Sequence, residues 1–279
     1  MVAASSVPAG SVDLAVAEAG RGGRPLLLVH GFTGAKEDFG DWLDRFAAEG
    51  WWAVAPDLRG HGASPCPGEE SDYSMVAFAG DLVALCDRLG WDRFCLLGHS
   101  MGGMIAQELV LGPGDRVERL VLMDTHHGPA EGLDAATVAF GVAVVRDQGL
   151  PALLTLLAEL PRPAPAPSEV RLRADRPGYA EWADQKIHAC SPAMYVAMAI
   201  EFTTRPDRLA ELTGLSVPTR VVVGAEDNAF LGASHRLAES VPGATLAVIP
   251  DAAHSPQFEN PEAWWKAVAP FLATELLVT

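Results

Sequence analysis

Six short, mostly apolar runs alternate along the chain with stretches of helical periodicity, and this alternation constrains the fold more than any other feature. Each run is short enough for a strand and apolar enough to be buried on both faces. The runs lie at residues 26–29, 52–55, 94–97, 117–123, 219–223 and 245–249. The alternation predicts an α/β protein with a mostly parallel central sheet and helices on both faces.

The alternation stops between residues 128 and 208 and then resumes. This stretch has no strand pattern, and two segments of apolar helical periodicity flank a proline-rich patch at 161–167. With 279 residues, 49% of them hydrophobic, the chain has enough apolar side chains for one large core. We therefore predict a core domain built from residues 1–127 and 209–279, interrupted by a helical lid at 128–208.

An excess of acidic residues limits the partners of the chain. Asp and Glu number 36 against 20 Lys and Arg, which gives a formal charge of −16. Such a charge repels nucleic acids and anionic membranes. No apolar run approaches the ~18 residues that span a bilayer, and the N-terminus lacks the basic region of a signal peptide. We expect a cytoplasmic protein that acts on a small molecule, with a homodimer as an open alternative.

A Gly-x-Ser-x-Gly motif at residues 98–102 follows one predicted strand and precedes a predicted helix. In a tight turn between a strand and a helix, side chains at Gly98 and Gly102 would collide with the neighbouring backbone. The turn lifts the hydroxyl of Ser100 clear of the sheet, at a helix N-terminus that favours negative charge. Ser100 is the predicted nucleophile.

A serine nucleophile needs a base and an acid. His254 follows the last predicted strand and therefore lies at the same sheet edge as Ser100, where it can act as the base. Asp227 follows the preceding strand and is the favoured acid, with Asp124 and Glu226 as rivals. The chain order of serine, aspartate and histidine is the order of the α/β-hydrolase triad.

Two backbone N–H groups are predicted to hold the oxyanion of an acyl-transfer reaction. One belongs to Met101, the residue after the nucleophile, and the other to Phe32, in the loop after the first predicted strand. The four cysteines show neither a paired motif nor a metal-like cluster. This chemistry requires no metal and no organic cofactor, so none is expected.

Five segments resemble the α/β-hydrolase superfamily, in its lid-bearing serine hydrolase branch. They are LLLVHGFTG, VAPDLRGHGAS, LLGHSMGG, VVVGAEDN and IPDAAHSPQFENP, and they lie in the expected order from residue 26 to residue 261. The resemblance implies an α/β-hydrolase fold with an inserted helical lid. It also implies that Ser100 is the nucleophile, His254 the base and Asp227 the acid.

Departures from relatives narrow the chemistry that the resemblance implies. Epoxide hydrolases and haloalkane dehalogenases of this superfamily carry Asp where Ser100 stands. Many carbon–carbon bond hydrolases carry Trp after the catalytic histidine, where this chain has Ser255, which makes that reaction less favoured without excluding it. The HGGG pattern of many esterases and lipases is absent, because Phe32 follows His30 and Gly31.

The favoured function is a serine hydrolase that cleaves an ester, lactone or thioester of a small molecule through an acyl-enzyme. A carbon–carbon bond hydrolase, an acyltransferase or a lyase could use the same triad, and a non-catalytic ligand-binding protein is a further alternative. The expected substrate-pocket residues are Phe32, His126, Phe140, Trp182 and Met198. The lid also carries cations that could bind a substrate carboxylate, although most are expected to face solvent: Arg146, Arg171, Arg173, Arg176 and Lys186.

Overall fold

The computed structural model describes residues 2–112, 115–161 and 164–274. Its strands are β1 (Ala3–Ala9), β2 (Val12–Ala19), β3 (Arg24–Val29), β4 (Trp51–Pro56), β5 (Phe94–His99), β6 (Val117–Met123), β7 (Thr219–Gly224) and β8 (Thr245–Ile249). Its helices are α1 (Gly40–Ala48), α2 (Met75–Leu89), α3 (Met101–Leu111), α4 (Ala135–Gln148), α5 (Leu150–Glu159), α6 (Pro167–Asp175), α7 (Tyr179–His188), α8 (Pro192–Thr204), α9 (Leu209–Leu212), α10 (Asn228–Ser240), α11 (Pro256–Glu259) and α12 (Pro261–Ala273).

The eight strands form a single sheet in the order β1-β2-β4-β3-β5-β6-β7-β8. Strands β3 to β8 pair in parallel, while β1 and β2 add an antiparallel edge. This arrangement confirms the predicted α/β fold with a mostly parallel sheet. Because the strands are parallel, the loops after β3, β5, β6, β7 and β8 all emerge at one edge of the sheet, where open α/β sheets hold their ligands.

The apolar strands bury both faces of the sheet. Leu27 and Val29 of β3 pack into one large cluster with residues of α2 and α3. Leu26 and Leu28 of the same strand face the other side, where α1 and α12 cover them. Alternate residues of a strand point to opposite faces, so a run that is buried on both sides is continuously apolar. This burial holds the carboxyl-end loops on a rigid base.

The six predicted runs do not include β1 and β2. In β2 the buried residues Val12, Leu14 and Val16 alternate with the less buried Asp13 and Ala15. A strand with one polar face shows alternation instead of a continuous apolar run. The sequence of β2 therefore indicates a strand by alternation, whereas continuous apolar runs indicate the six parallel strands.

Six helices, α4 to α9, lie between β6 and β7. Five of them, α4 to α8, form the insertion at 128–208, whose described residues contain no strand. Part of the proline-rich patch, residues 162 and 163, lies outside the described residues. In the part of the chain that the structure describes, no helix is long and apolar enough to cross a membrane.

Candidate active site

Ser100 occupies a strained turn between β5 and α3. Its φ of 54° and ψ of −117° lie in a region that residues other than glycine rarely adopt. A Cβ at Gly98 would collide with the carbonyl oxygen of Gly102, and a Cβ at Gly102 would collide with that of Val29. Both glycines are therefore required by close backbone packing.

Neighbouring loops hold this turn in place. The Ser100 N–H donates to the carbonyl oxygen of Met123 at 2.8 Å, and the Thr125 hydroxyl donates to the carbonyl oxygen of Ser100 at 2.7 Å. A Cβ at Gly31 would lie 2.9 Å from the Cβ of Ser100, so the loop after β3 runs directly past the serine. The strain at Ser100 is maintained by contacts on several sides.

Ser100, His254 and Asp227 form one hydrogen-bonded chain. His254 Nε2 lies 3.0 Å from Ser100 Oγ, and His254 Nδ1 lies 2.7 Å from Asp227 Oδ2. The Asp227 side chain is 8% exposed, whereas that of His254 is 37% exposed. Such a chain can take the hydroxyl proton of the serine on one imidazole nitrogen while a carboxylate holds the other.

The loops that carry Asp227 and His254 are joined to each other. The Glu226 N–H donates to the carbonyl oxygen of Ala252 at 2.8 Å. Gly224 approaches the same loop so closely that a Cβ there would collide with the carbonyl oxygen of Ala253. His99 Nε2 lies 2.7 Å from the carbonyl oxygen of His254, as expected for an N–H that donates to it. Because the loops form one unit, the imidazole and the carboxylate keep their relative position.

The structure separates Asp227 from its two rivals. The carboxylate of Glu226 accepts a hydrogen bond of 2.9 Å from the Ser168 N–H at the start of α6, so it is bonded to the insertion and not to His254. Asp124 is fully buried, and one of its carboxyl oxygens accepts a hydrogen bond of 2.9 Å from the Gly224 N–H. Its other carboxyl oxygen accepts no hydrogen bond from the described residues, and a proton on it can be donated to the neighbouring Asp227.

Asp124 nevertheless lies beside the hydrogen-bonded chain. One ligand atom each from Asp124, Asp227 and His254 lie within 4.8 Å of one another. Burial raises the pKa of Asp124 well above its usual range, and the neighbouring charge of Asp227 adds to this effect. Burial therefore favours the neutral form of the Asp124 carboxyl group. This spacing would suit a cation. However, the hydrogen bond between His254 and Asp227 already engages two of the three groups.

Two backbone N–H groups next to Ser100 are free to donate to a ligand. Met101 is the first residue of α3, so its N–H has no acceptor within the helix. Phe32 lies in the loop that passes Ser100. Within the described ranges, neither N–H donates a hydrogen bond to the protein.

A mostly apolar cavity of about 450 Å³ opens onto Ser100 and His254. The other residues that line it are Phe32, Met104, His126, Ala130, Glu131, Leu133, Val138, Tyr195, Ala199, Phe202, Ala229 and Phe230. Phe32 contacts both Tyr195 and Phe202, with ring centroids 4.8 and 5.1 Å apart. Helices α4 and α8 thus contribute one wall, and the loops of the sheet contribute the other.

Only two of the five expected pocket residues, Phe32 and His126, line this cavity. We correct the expectation for the other three. Phe140 is 61% exposed on α4, Met198 is fully buried on α8, and Trp182 packs on Phe258. Composition identifies bulky residues on an amphipathic helix, but it does not show which face of that helix meets the sheet.

Phe230 is the main cavity residue that sequence reasoning missed. Its ring centroid lies 4.5 Å from that of His254 and 4.5 Å from that of His126. It follows Asp227 by three residues, in the first turn of α10. This closeness to Asp227 in the sequence was the signal that could have identified Phe230 as a cavity residue. Burial lowers the pKa of His126, so its imidazole is neutral at neutral pH.

Comparisons with known proteins agree with this fold. A family model described as alpha/beta hydrolase fold matches residues 24–261. A solved structure of a thermophilic esterase from Thermogutta terrifontis, with malate bound, is 30% identical and has a TM-score of 0.82. The alignment covers 97% of this chain and 98% of that one.

Two curated relatives are similar over different lengths. Epoxide hydrolase 2 of Siraitia grosvenorii is 35% identical over 122 residues, which cover 44% of this chain but only 38% of that relative. The 3-oxoadipate enol-lactonase 2 of Acinetobacter baylyi is 26% identical over 272 residues, which cover 94% of both chains. The chain thus spans well under half of the first relative but nearly all of the second.

Proposed function

The chain belongs to the α/β-hydrolase family, and from this premise we propose that it is a serine hydrolase that cleaves an ester, lactone or thioester of a small molecule. One observation carries the proposal: a hydrogen-bonded chain runs from Ser100 Oγ to His254 at 3.0 Å and from His254 to Asp227 at 2.7 Å. The similar esterase and enol-lactonase, by their names, support cleavage of an acyl–oxygen bond.

In the proposed reaction, Ser100 Oγ attacks the carbonyl carbon of the substrate while its proton passes to His254 Nε2. The N–H groups of Phe32 and Met101 hold the oxyanion that forms. When the tetrahedral intermediate collapses, His254 returns the proton to the leaving oxygen or sulfur, and an acyl-enzyme remains. Water, deprotonated by His254, then releases the acid and restores Ser100. No metal or organic cofactor takes part.

We further propose that residues 128–208 act as a lid over this site, between the two parts of the core at 1–127 and 209–279. The contribution of Val138 on α4 and of Tyr195 on α8 to the cavity supports this division. Such a lid excludes water from the reacting carbonyl and selects the substrate.

Epoxide hydrolysis, named by the partial relative, does not suit a serine nucleophile. A carboxylate that opens an epoxide forms an ester, which water can then cleave. Ser100 would instead form an ether with the epoxide carbon, and an imidazole with water does not hydrolyse an ether. Carbon–carbon bond hydrolysis, acyl transfer and a lyase step remain alternative uses of the same triad, and non-catalytic ligand binding is an alternative without chemistry.

The first test is hydrolysis of para-nitrophenyl esters of rising acyl length by the wild type, Ser100→Ala and Ser71→Ala. Ser71 is an exposed serine in a short turn at Glu70–Asp72 and serves as the matched control. We expect turnover by the wild type and the control, and a loss of at least ~10⁴-fold in Ser100→Ala. Turnover that survives in Ser100→Ala would refute the proposal.

A second measurement separates the alternatives. Labelling by a serine-directed phosphonate that depends on Ser100, without turnover of any ester, would indicate a working triad with another substrate. Product analysis with a vinylogous diketone would then reveal carbon–carbon cleavage. A rate that rises with added alcohol would reveal acyl transfer. Absence of both labelling and turnover in a folded protein would favour a ligand-binding role.

A further inference from the structure

The cavity at Ser100 contains no cationic side chain. Among the described residues that line it, none is Lys or Arg, and the charged residue outside the catalytic chain is Glu131. Most of the remaining lining residues are aromatic or aliphatic. His126 does not supply a positive charge, because burial lowers its pKa. A carboxylate in this cavity would lose its hydration without gaining a counter-charge.

Arg236 on α10 and Lys186 on α7 are bound to carboxylates of the chain itself. Arg236 forms an ion pair with Glu131 and also donates to His127 Nε2 at 3.0 Å. Lys186 on α7 is paired with the buried Asp38 and lies over the ring of Trp182. Releasing either cation for a substrate would leave a carboxylate without its partner.

The other lid cations expected as carboxylate binders are also directed elsewhere. Arg146 is paired with Glu70, and Arg176 with Asp41. Arg171 donates to the carbonyl oxygens of Asp251 and Glu259. Arg173 lines a different cavity, behind His254 and beneath the proline-rich segment. Within the described part of the lid, none of these side chains lines the cavity at Ser100.

We propose that this site accepts substrates with a neutral, apolar acyl group and discriminates against those whose acyl group ends in a carboxylate. This inference rests on the proposed function and adds the charge class of the substrate. The residues that set the preference are Glu131, whose carboxylate holds the Arg236 cation, and Phe32, Phe202 and Phe230, which provide the apolar wall. The formal charge of −16 acts in the same direction, because it disfavours the approach of anions.

The test compares two esters of the same shape and different charge. One is the mono-para-nitrophenyl ester of glutarate. The other is the para-nitrophenyl ester of 5-methylhexanoate, which has the same shape because a terminal isopropyl group replaces the carboxylate. With non-enzymatic hydrolysis subtracted, we expect kcat/KM for the neutral ester to be higher by about 10- to 100-fold, the usual cost of an unpaired buried charged group. Equal rates, or a preference for the glutarate ester, would overturn the inference.

Two charge variants and one neutral control test whether the cavity sets the ratio of kcat/KM between the neutral ester and the anionic ester. Ala199 is a half-buried cavity residue on α8, and Ala199→Lys places a cation there, with Ala199→Met as a neutral control of similar length. We expect Ala199→Lys to lower the preference for the neutral ester at least ~5-fold relative to Ala199→Met. Glu131→Gln removes the negative charge with little change of shape and should lower the preference in the same direction. If the ratio stays unchanged in both charge variants, the cavity does not set the preference, and the inference is wrong.

A labelling experiment distinguishes failure of this inference from failure of the proposed function. A neutral alkyl fluorophosphonate and its carboxylate-terminated analogue both react with an activated serine, whether or not any ester is turned over. Faster labelling of Ser100 by the neutral probe supports the charge preference even if the proposed ester hydrolysis fails. Equal labelling overturns the preference while leaving the serine hydrolase intact. If neither probe reacts, both proposals are refuted.

Discussion

Asp227 and Asp124 lie side by side behind His254, and replacing each by asparagine separates their roles. Asp227 Oδ2 lies 2.7 Å from His254 Nδ1, while Asp124 accepts from the Gly224 N–H at 2.9 Å. Burial, and after it the neighbouring Asp227, raises the pKa of Asp124 well above its usual range, which favours the neutral form of Asp124. The two substitutions are chemically identical, and they act on neighbouring buried carboxyl groups.

For Asp227→Asn we expect a loss of about 10⁴-fold in kcat. The introduced amide carries no charge to stabilise the imidazolium of His254, and its NH₂ group can hold the imidazole in the wrong tautomer. In a serine–histidine–aspartate triad, this change costs about 10⁴-fold, which corresponds to about 5.4 kcal/mol of transition-state stabilisation. The backbone around Asp227 has no reason to move, because the two side chains have nearly the same shape.

For Asp124→Asn we expect a loss of less than about 10-fold in kcat, because an amide reproduces the hydrogen bonds of a protonated carboxyl group. Its oxygen can accept from the Gly224 N–H, and its NH₂ group can take the place of the carboxyl O–H next to Asp227. The charge on Asp227 and the orientation of His254 are then preserved.

The raised pKa of Asp124 makes the free energy of unfolding depend on pH. A carboxyl group with a raised pKa in the folded protein contributes its full stability below the ordinary pKa of the unfolded chain. That contribution falls as the pH rises towards the folded pKa. Asparagine does not ionise, so Asp124→Asn should gain stability relative to the wild type as the pH rises from acid to neutral. Urea denaturation at a series of pH values measures this difference.

Steady-state kinetics on an ester that the wild type hydrolyses, with labelling of Ser100 by a phosphonate, provide the assay for both variants. The reasoning is refuted if Asp124→Asn loses as much kcat as Asp227→Asn, because Asp124 would then share the catalytic charge. It is also refuted if the stability of Asp124→Asn relative to the wild type does not change with pH.

Three further predictions concern packing, metal and the cavity. Gly102→Ala should lower the free energy of unfolding by about 2–4 kcal/mol in urea denaturation, because the added Cβ collides with the backbone of Val29. Gly40→Ala, at a helical glycine with no atom within 4 Å of the added Cβ, should change it by less than about 1 kcal/mol, and equal losses would contradict the packing argument. Incubation with EDTA should leave ester hydrolysis unchanged, and a loss restored by a divalent cation would show that the carboxylate–imidazole cluster binds a metal. Phe202→Ala should shift the preferred acyl chain to longer esters, since it removes an aromatic wall of the cavity; an unchanged preference would place the acyl group elsewhere.

The strands of this fold differ in how readily the sequence reveals them. The parallel strands are buried on both faces and therefore form continuous apolar runs, which local reading detects. In β2, the second strand from the sheet edge, Val12, Leu14 and Val16 alternate with the less buried Asp13 and Ala15, so a search for continuous apolar runs misses this strand. Helix α10 begins at Asn228, directly after Asp227, so this loop continues into the helix without a separate linker.

The amino-acid sequence is enough to identify the residue types at the ends of the strands. Glycines flank Ser100 because the backbone there leaves no space for a Cβ, and the order of the strands places His254 and Asp227 at the same sheet edge. Which carboxylate reaches His254 depends on the tertiary structure, since Asp124 and Asp227 occupy equivalent positions after neighbouring strands. The same holds for the face that each helix of the insertion turns towards the cavity. Both depend on distances and burial between residues far apart in the chain, which no local pattern records.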